Sequence, residues 1–371
     1  MSTGIDQTAE SNGWLPTQQL TVVDLCAGAG GVTAGYKASG LRVLAAADLD
    51  PNAIRSYTAN HPEVATLTAD LLKIAPAQLK RRVGLRTQPD VLTICAPCQT
   101  FSTMSAKNRR ANDKRNHLVG RVISFVDVLR PRCVVMENVP QLARQRRFKA
   151  VVRQLRERKY GVWFGIVDAA HFGVPQTRRR LVLIAIRGFK DHEVPALSPE
   201  HPLLRRRVAR RTVRQVLDGL VRIRGDSLHR SRKYSPIVAK RIAAIPHDGG
   251  SRRSLPAHLQ LKCHKRNASK TACGNVYGRM RWDDVAPTLT TRCTTPACGR
   301  FLHPRKNRAI TLREAACLQT FSRDYVFEGG YMSKEAQIGN AVPPKLARAI
   351  GLIIAAALRR PSAVCRKARN P

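Results

Sequence analysis

Residues 20–31 have the sequence LTVVDLCAGAGG, an apolar predicted strand followed by a glycine-rich turn that opens a helix. Glycines in such a turn let a ligand approach the backbone, and the helix N-terminus adds a favourable dipole. The dinucleotide pattern G-x-G-x-x-G would need glycine at position 33, where the chain has Thr33, so NAD is disfavoured. Asp48 ends the next predicted strand, where an acid can bind a ribose hydroxyl pair. The combination favours a nucleoside cofactor, with a tight turn that binds no ligand as the alternative.

Outward from this stretch, short β-branched apolar runs alternate with helix-period segments as far as about Gly188. We predict helices over Asn52–Asn60, Leu118–Leu129 and Phe148–Arg158. Seven strands are predicted, at Leu20–Ala27, Arg42–Leu49, Val64–Ala69, Asp90–Cys95, Cys133–Met136, Val162–Val167 and Arg180–Ile186. This alternation predicts an α/β fold, a doubly wound and mostly parallel Rossmann-like sheet with helices on both faces.

The alternation of strand and helix patterns ends after Gly188, where Pro, His, Gly and Arg become frequent and long apolar runs become rare. We therefore predict a large domain over residues 20–188, completed by 309–358, and a smaller, loop-rich domain over 189–308. Thr311 and Glu314 have the spacing of a helix capping box, and a final apolar helix spans Leu346–Leu358. Residues 1–19 are predicted to be a disordered N-terminus and 359–371 a basic tail.

Charge is distributed unevenly along the 371 residues, which carry 65 Lys and Arg against 25 Asp and Glu, a formal net charge of +40. Residues 1–100 contain 8 basic and 8 acidic side chains, whereas residues 201–300 contain 23 and 5. An excess that begins after a neutral first segment favours a polyanionic partner over a generally Arg-rich surface.

Membrane and secretory classes are disfavoured. No apolar run approaches the roughly 20 residues needed to cross a bilayer, and the N-terminal sequence MSTGIDQTAESNGWLPTQQ has no signal-peptide pattern. The scatter of the ten cysteines does not resemble a disulfide framework, so we expect a cytoplasmic protein. A zinc site is not predicted, because the spacing of Cys263, His264, Cys273, Cys293 and Cys298 matches no common finger.

Three further motifs carry chemistry near predicted strand ends. Cys95–Ser102 has the sequence CAPCQTFS, in which Cys98 is either a nucleophile or a buried structural thiol. Glu137–Val139 ends the next strand and places a carboxyl at its C-terminal edge, as a functional group or simply as a helix N-cap partner. In Gln176–Arg180 the alternate residues Gln176, Arg178 and Arg180 share one face, as functional groups or as a solvated basic edge.

In this order the motifs resemble the DNA cytosine-5 methyltransferase family of bacterial type. The resemblance rests on D-L-x-A-G-x-G-G, P-C-Q-x-F-S, E-N-V and Q-x-R-x-R. It continues in Arg308–Ala316 with Leu318–Phe321 and in Gln337–Pro343 (QIGNAVP), so that it extends from Leu20 to about Leu358. It implies that residues 20–188 with 309–358 form the catalytic domain and 189–308 the target recognition domain.

The resemblance also implies site residues. Cys98 would be the nucleophile, Glu137 the acid at ring nitrogen 3 of cytosine, and Arg178 a contact to the same base, with Gln176 and Arg180 in the same catalytic motif. DNA contacts would come from Gln99, Ser102, Arg281, Arg292 and Arg300. The S-adenosyl-L-methionine pocket would be lined by Asp24, Leu25, Cys26, Gly28, Gly30, Gly31, Asp48, Leu49, Asp70, Leu71, Pro97, Leu118, Asn340 and Val342. No metal is implied.

The chemistry explains these residue types. Carbon 5 of cytosine is a poor nucleophile, so a thiolate adds to carbon 6 and makes the ring an enamine that can accept the methyl group. A free thiol has a pKa of about 8.5, so a helix N-terminus and nearby Arg178 would help to supply the thiolate of Cys98. The target base must leave the duplex to react. Basic side chains of the recognition domain would bind phosphates, which sets affinity rather than sequence.

Four positions depart from the family's commonest pattern. Cys26 and Leu49 stand where aromatics are common, Asp48 where Glu is usual, and Cys95–Ala96 where Gly-Pro precedes the catalytic Pro-Cys. We expect weaker or differently packed cofactor binding rather than loss of activity.

The resemblance predicts a monomeric, nucleoid-associated enzyme of the cytoplasm that acts on double-stranded DNA, with a companion restriction endonuclease if it belongs to a restriction-modification system. Alternatives are a tRNA cytosine-5 methyltransferase and a non-catalytic DNA-binding relative. RNA enzymes of the two-cysteine type place a second Cys where this chain has Glu137, which disfavours that branch.

Overall fold

A computed structural model describes residues 19–96, 117–204, 210–220, 225–261 and 275–359. Its strands are β1 Thr21–Leu25, β2 Arg42–Asp48, β3 Ala65–Thr68, β4 Val91–Ile94, β5 Cys133–Asn138, β6 Tyr160–Asp168 and β7 Arg179–Arg187. Its α-helices are α1 Gly31–Lys37, α2 Pro51–Asn60, α3 Pro76–Arg82, α4 Leu118–Leu129, α5 Arg146–Glu157, α6 Val213–Leu217, α7 Pro236–Ala243, α8 Leu312–Leu318, α9 Tyr331–Asn340 and α10 Pro344–Arg359. The predicted N-terminal segment, apart from Gln19, and the tail beyond Arg359 lie outside the described residues.

The seven strands form one sheet in the order β3-β2-β1-β4-β5-β7-β6. Strands β1 to β5 pair in parallel, whereas β7 lies antiparallel between β5 and β6. Each predicted strand is present, and the Rossmann-like α/β fold is confirmed. The order reverses between β1 and β4, and the crevice at such a switch point is where sheets of this class bind ligands.

Both faces of the sheet are covered, which explains why the strands are apolar without strict alternation. On one face α4 and α5 bury Phe125, Phe148 and Leu155 against β4, β5 and β6. On the other face α1 and α10 bury Tyr36 and Ile350 against β1 and β2.

The C-terminal helix α10 returns to the start of the chain and packs along α1. A Cβ on Gly35 would lie 2.3 Å from the Pro344 carbonyl oxygen, so the two helices are in backbone contact. Within the part of the chain that the structure describes, one segment, Tyr331–Arg359, could cross a membrane by length and composition. Because 67% of its most apolar stretch is buried inside the protein, it fits a core helix.

The region after β7 has its own apolar contacts. Ile242, Leu255 and Leu302 belong to a small core. Arg279 crosses this core and donates to the carbonyls of Ile242 and Ile245 at the end of α7, both at 2.9 Å. A further apolar cluster joins this region to α8 and α9. In it, Trp282 and Leu289 share a core with Leu312 and Ile338.

Candidate active site

The turn after β1 has a backbone that suits glycine. Gly28 and Gly30 have φ of 54° and 92°, in the left-handed region, and Cys26 also has a positive φ of 56°. The Gly28 N–H donates to Asp48 Oδ2 at 2.8 Å, and the Asp50 N–H donates to Asp48 Oδ1 at 2.9 Å. Burial raises the pKa of Asp48, and these backbone donors oppose the rise. A carboxylate can accept about four hydrogen bonds, so Asp48 keeps acceptor capacity for further donors.

The turn is held from behind by residues that no sequence motif indicated. The Tyr325 hydroxyl donates to the Ala29 carbonyl at 2.5 Å and lies 3.1 Å from His61 Nε2. A Cβ on Gly30 would lie within 3 Å of both side chains. Because 264 residues separate His61 from Tyr325, only the tertiary fold brings them together, and no local pattern could have found them.

Beneath the turn, Asp24 is fully buried at the end of β1. The Thr33 hydroxyl donates to Asp24 Oδ2 at 3.0 Å and lies 2.5 Å from the Tyr57 hydroxyl. Asp24 Oδ1 has no hydrogen-bond partner among the described residues. Burial raises the pKa of Asp24 to about 7. Thr33 thus occupies the position of the missing dinucleotide glycine and binds this carboxyl.

The other predicted cofactor residues gather at the carboxyl edge of the sheet. Leu49 follows Asp48 and is 65% exposed, whereas Leu25, Leu71 and Leu118 are buried. Asp70 Oδ1 accepts from the Leu72 N–H at 2.9 Å. A Cβ on Gly31 would lie 2.4 Å from the Val342 carbonyl oxygen, which places the exposed Asn340 and its neighbours beside α1. Pro97 lies outside the described residues.

The predicted nucleophile Cys98, with Gln99 and Ser102, also lies outside the described residues. The chain is described as far as Ala96, whose carbonyl accepts from Asn138 Nδ2 at 2.8 Å. This bond joins the ends of β4 and β5, the two strands that carry the predicted cysteine and glutamate motifs.

Glu137, at the end of β5, forms a buried ion pair. Arg180 Nε lies 3.0 Å from Glu137 Oε1, and the two side chains are only 14% and 9% exposed. Burial raises the pKa of Glu137, while the charges of Arg180 and then Arg178 oppose the rise. A carboxyl whose pKa is raised in this way can hold a proton that it shares with a bound base.

Arg178 has a different setting. Its Nη1 donates to the Leu289 carbonyl at 2.9 Å, and its Nη2 donates to the carbonyls of Gly339 and Ala341 at 3.1 and 2.9 Å. Gln176 Oε1 accepts from Arg178 Nη1 at 3.3 Å and from the Leu289 N–H at 2.9 Å. Burial lowers the pKa of Arg178. Arg178 and Gln176 therefore tie three chain segments together, and Arg180 lies beside the carboxyl.

The predicted DNA-binding arginines also differ in setting. Arg281 and Arg292 are exposed. Arg300 is half-buried, and its Nη1 donates to the carbonyls of Gly249, Gly250 and Arg279. Those bonds hold a loop in place, so Arg300 Nη1 already donates to backbone acceptors within the protein.

Among the residues that the structure describes, no group of three or more His, Cys, Asp or Glu side chains could hold a metal ion. Cys263, His264 and Cys273 lie outside the described residues.

Comparison with known proteins agrees with the fold. The family model for C-5 cytosine-specific DNA methylase matches residues 20–355. This chain belongs to the C-5 cytosine-specific DNA methylase family. The methylase is 36% identical over 354 residues to the Type II methylase M.HgiDII of Herpetosiphon aurantiacus, covering 91% of this chain and 95% of that protein.

A second relative of the methylase is the Type II methyltransferase M1.HphI of Haemophilus parahaemolyticus, 32% identical, with 89% of this chain and 85% of that protein covered. Among solved structures, the methyltransferase EhMeth of Entamoeba histolytica has the same fold, with a TM-score of 0.64 and 16% identity. That alignment covers 92% of this chain and 100% of the other. The methylase is therefore a DNA (cytosine-5)-methyltransferase, whose reaction requires a methyl donor and a DNA substrate.

Proposed function

We propose that the protein transfers a methyl group from S-adenosyl-L-methionine to carbon 5 of a flipped cytosine through a covalent adduct with Cys98. The observation that carries the proposal is the buried Glu137–Arg180 pair at 3.0 Å, at the sheet edge where β4 leads toward Cys98. A buried carboxyl in this position can deliver a proton to the base, as the reaction requires.

The turn after β1 fits the proposed cofactor. Gly28 leaves its backbone open, since no described atom lies within 4 Å of a Cβ added there, Asp48 has acceptor capacity for ribose hydroxyls, and Leu49 offers an exposed apolar surface beside it. We propose that these residues hold S-adenosyl-L-methionine, with Asp24, Leu25, Cys26, Gly31, Asp70, Leu71, Pro97, Leu118, Asn340 and Val342 completing the pocket. When bound, the cofactor supplies an electrophilic methyl group.

In the proposed reaction, the Cys98 thiolate forms a bond to carbon 6 while Glu137 gives its proton to ring nitrogen 3. The electron pair freed at carbon 5 would then form the bond to the methyl group, whose bond to the sulfonium sulfur of S-adenosyl-L-methionine would break and leave a neutral thioether. A base removes the proton on carbon 5, the Cys98–carbon 6 bond breaks, and the proton on nitrogen 3 returns to Glu137. Arg180, whose Nε lies 3.0 Å from Glu137 Oε1, would support these steps because its positive charge stabilises the carboxylate that remains when Glu137 gives up its proton.

We further propose the catalytic domain over residues 20–188 with 309–358 and the target recognition domain over 189–308. The packing of α10 on α1 supports the discontinuous catalytic domain, and the small core around Ile242, Leu255 and Leu302 supports the second one. The Type II names of the relatives favour a role in a restriction-modification system, with a companion endonuclease. We propose a monomer that acts in the cytoplasm on nucleoid DNA.

The test compares methyl transfer to duplex DNA and to tRNA for the wild type, Cys98→Ser and Glu137→Gln. We expect transfer to DNA only, loss of transfer in Cys98→Ser, and a rate lowered about 10²- to 10⁴-fold in Glu137→Gln. DNA binding should persist in both variants. An undiminished rate in Cys98→Ser would refute the proposed mechanism, and transfer to tRNA alone would favour the RNA enzyme.

A further inference from the structure

Two buried side chains outside the catalytic motifs, His61 and Tyr325, connect the glycine turn to the end of α1. The Tyr325 hydroxyl donates to the Ala29 carbonyl at 2.5 Å and lies 3.1 Å from His61 Nε2. Lys37 Nζ, at the end of α1, lies 3.5 Å from His61 Nδ1. These groups form one hydrogen-bonded path that ends in the middle of the turn. We refer to the two residues as the His61–Tyr325 pair.

Each bond of this path has only one possible direction. The Ala29 carbonyl is an acceptor, so the Tyr325 O–H donates to it and the hydroxyl oxygen is left to accept. Lys37 Nζ has only donors, so His61 Nδ1 accepts and the ring proton belongs to Nε2, which donates to Tyr325. Burial and the charge of Lys37 lower the pKa of His61 to about 4. The neutral imidazole that the path requires is therefore the form present at neutral pH.

The bond from Tyr325 fixes one peptide plane of the turn. The Ala29 carbonyl and the Gly30 N–H belong to the same planar peptide, and the Gly30 N–H donates to the Ala27 carbonyl at 3.0 Å. Ala29 is buried, and its carbonyl accepts no other hydrogen bond among the described residues. A buried carbonyl that loses its donor is unfavourable, so the turn would shift to recover a partner.

Such a shift would reach the proposed cofactor site. A Cβ on Gly30 would lie 2.8 Å from both Tyr325 Oη and His61 Cδ2, so the pair is in direct contact with the turn. Two residues earlier, the Gly28 N–H donates to Asp48 Oδ2 at 2.8 Å. The position of the turn therefore sets the position of the carboxylate proposed to bind the ribose.

The segments that carry the pair are held by other contacts as well. The Tyr325 ring centre lies 4.5 Å from that of Phe321 and 5.3 Å from that of Phe327. The Asn60 side chain donates to the Val326 carbonyl at 2.8 Å and accepts from the Val326 N–H at 2.9 Å. Removal of the Tyr325 hydroxyl alone should therefore leave the fold in place and act on the turn.

We infer that His61 and Tyr325 are positioning residues that hold the Ala29–Gly30 peptide, and with it the turn, in the conformation that binds S-adenosyl-L-methionine. This inference rests on the proposed function, since it takes that cofactor as the ligand of the turn. Neither residue is among the predicted cofactor contacts, and both act through the backbone of the turn.

The test is the dissociation constant of S-adenosyl-L-methionine for the full chain, measured by calorimetry without DNA. Tyr325→Phe keeps the ring and removes the hydroxyl, so it should raise this constant about tenfold. In methyl transfer to duplex DNA it should raise the KM for the cofactor and change kcat by less than about twofold.

His61 is tested by two substitutions. His61→Leu removes the donor to Tyr325 and should also raise the dissociation constant about tenfold, whereas the side-chain N–H of His61→Gln should restore most of the affinity. Because the two residues act through one carbonyl, the double variant Tyr325→Phe/His61→Leu should bind about tenfold more weakly than the wild type. A loss of about a hundredfold would contradict their joint action.

The matched control is Tyr160→Phe. The Tyr160 hydroxyl donates to the Pro131 carbonyl, also at 2.5 Å, and Tyr160 and Tyr325 are 4% and 5% exposed. Pro131 precedes β5, at the ends of the parallel strands opposite to the turn. Tyr160→Phe therefore removes an equivalent buried bond, and it should lower the denaturation midpoint without changing the dissociation constant.

The outcomes separate this inference from the proposed function. If the wild type binds the cofactor and methylates DNA while Tyr325→Phe keeps the affinity of Tyr160→Phe, the positioning role is refuted and the proposed function stands. If the wild type binds the cofactor and Tyr325→Phe weakens binding, but no methyl group reaches DNA, the positioning role stands and the proposed reaction fails. A wild type that does not bind the cofactor would refute both.

Discussion

At the scale of single residues, Asp24 shows how burial changes the chemistry of a carboxyl beneath the proposed cofactor turn. Its carboxyl lies beneath the glycine turn, accepts from Thr33, and leaves Oδ1 without a partner among the described residues. Burying a carboxylate with so few donors is unfavourable, which is why its pKa rises to about 7 from the ordinary 3.8. The neutral carboxyl is therefore the form that the fold favours.

This shift predicts a pH-dependent stability. Because the pKa of Asp24 is higher in the folded protein, its contribution is fully present below about pH 3.8 and is lost as the pH rises to about 7. A shift of about three units corresponds to a loss of up to about 4 kcal/mol. Asp24→Asn should not show this loss, so its advantage over the wild type in urea unfolding should grow between about pH 4 and pH 8.

The control for that measurement is Glu157→Gln, an exposed carboxyl at the end of α5. Parallel stability curves for Asp24→Asn and the wild type would show that folding does not raise the pKa of Asp24, contrary to its buried setting.

The two arginines of the Q-x-R-x-R motif show which contacts could be predicted from the sequence and which could not. Sequence alternation grouped Gln176, Arg178 and Arg180 on one face, and in the structure the charges of Arg180 and Arg178 both act on the Glu137 carboxyl. It could not tell which of them binds backbone, because the acceptors of Arg178 belong to Leu289, Gly339 and Ala341, more than 100 residues away. The predicted contact of Arg178 with the base stays a prediction, and Arg180 is the arginine paired with Glu137.

At the scale of elements, the strands and the capping box were predictable because their signals are local. The Thr311 hydroxyl accepts from the Glu314 N–H at 3.1 Å and Glu314 accepts from the Thr311 N–H at 2.8 Å, which confirms the predicted capping box. The antiparallel insertion of β7 between β5 and β6 was not predicted, since the direction of pairing leaves no mark on a strand's own residues.

The contact between α1 and the C-terminal segment gives a prediction at this scale. Alanine at Gly31 would place its Cβ 2.4 Å from the Val342 carbonyl, so the segment that carries Asn340 and Val342 must move away from the turn. We expect Gly31→Ala to raise the KM for S-adenosyl-L-methionine about tenfold or more, with a smaller effect on kcat. Steady-state kinetics at varied cofactor concentration measure both constants.

Gly120→Ala is the matched control. It lies in α4, and no atom of the described residues lies within 4 Å of its added Cβ, so the helix should gain up to about 1 kcal/mol and the KM should not change. Equal KM values for Gly31→Ala and the wild type would mean that the C-terminal segment does not shape the cofactor site.

At the scale of the whole molecule, the net charge of +40 is distributed unevenly along the chain. The first hundred residues, which carry most of the predicted cofactor pocket, hold equal numbers of basic and acidic side chains. The excess lies in the later segments, including the proposed second domain. The sequence predicted this division, but the joining of segments from both ends of the chain at Arg178 and at α10 became visible only in the fold.

The most direct test of the central claim is bisulfite sequencing of duplex DNA incubated with the purified protein and S-adenosyl-L-methionine. We predict methylation at carbon 5 of cytosine within one short sequence context, and none with Cys98→Ser. DNA that stays unmethylated with the wild type, or that is methylated equally by Cys98→Ser, would contradict the account.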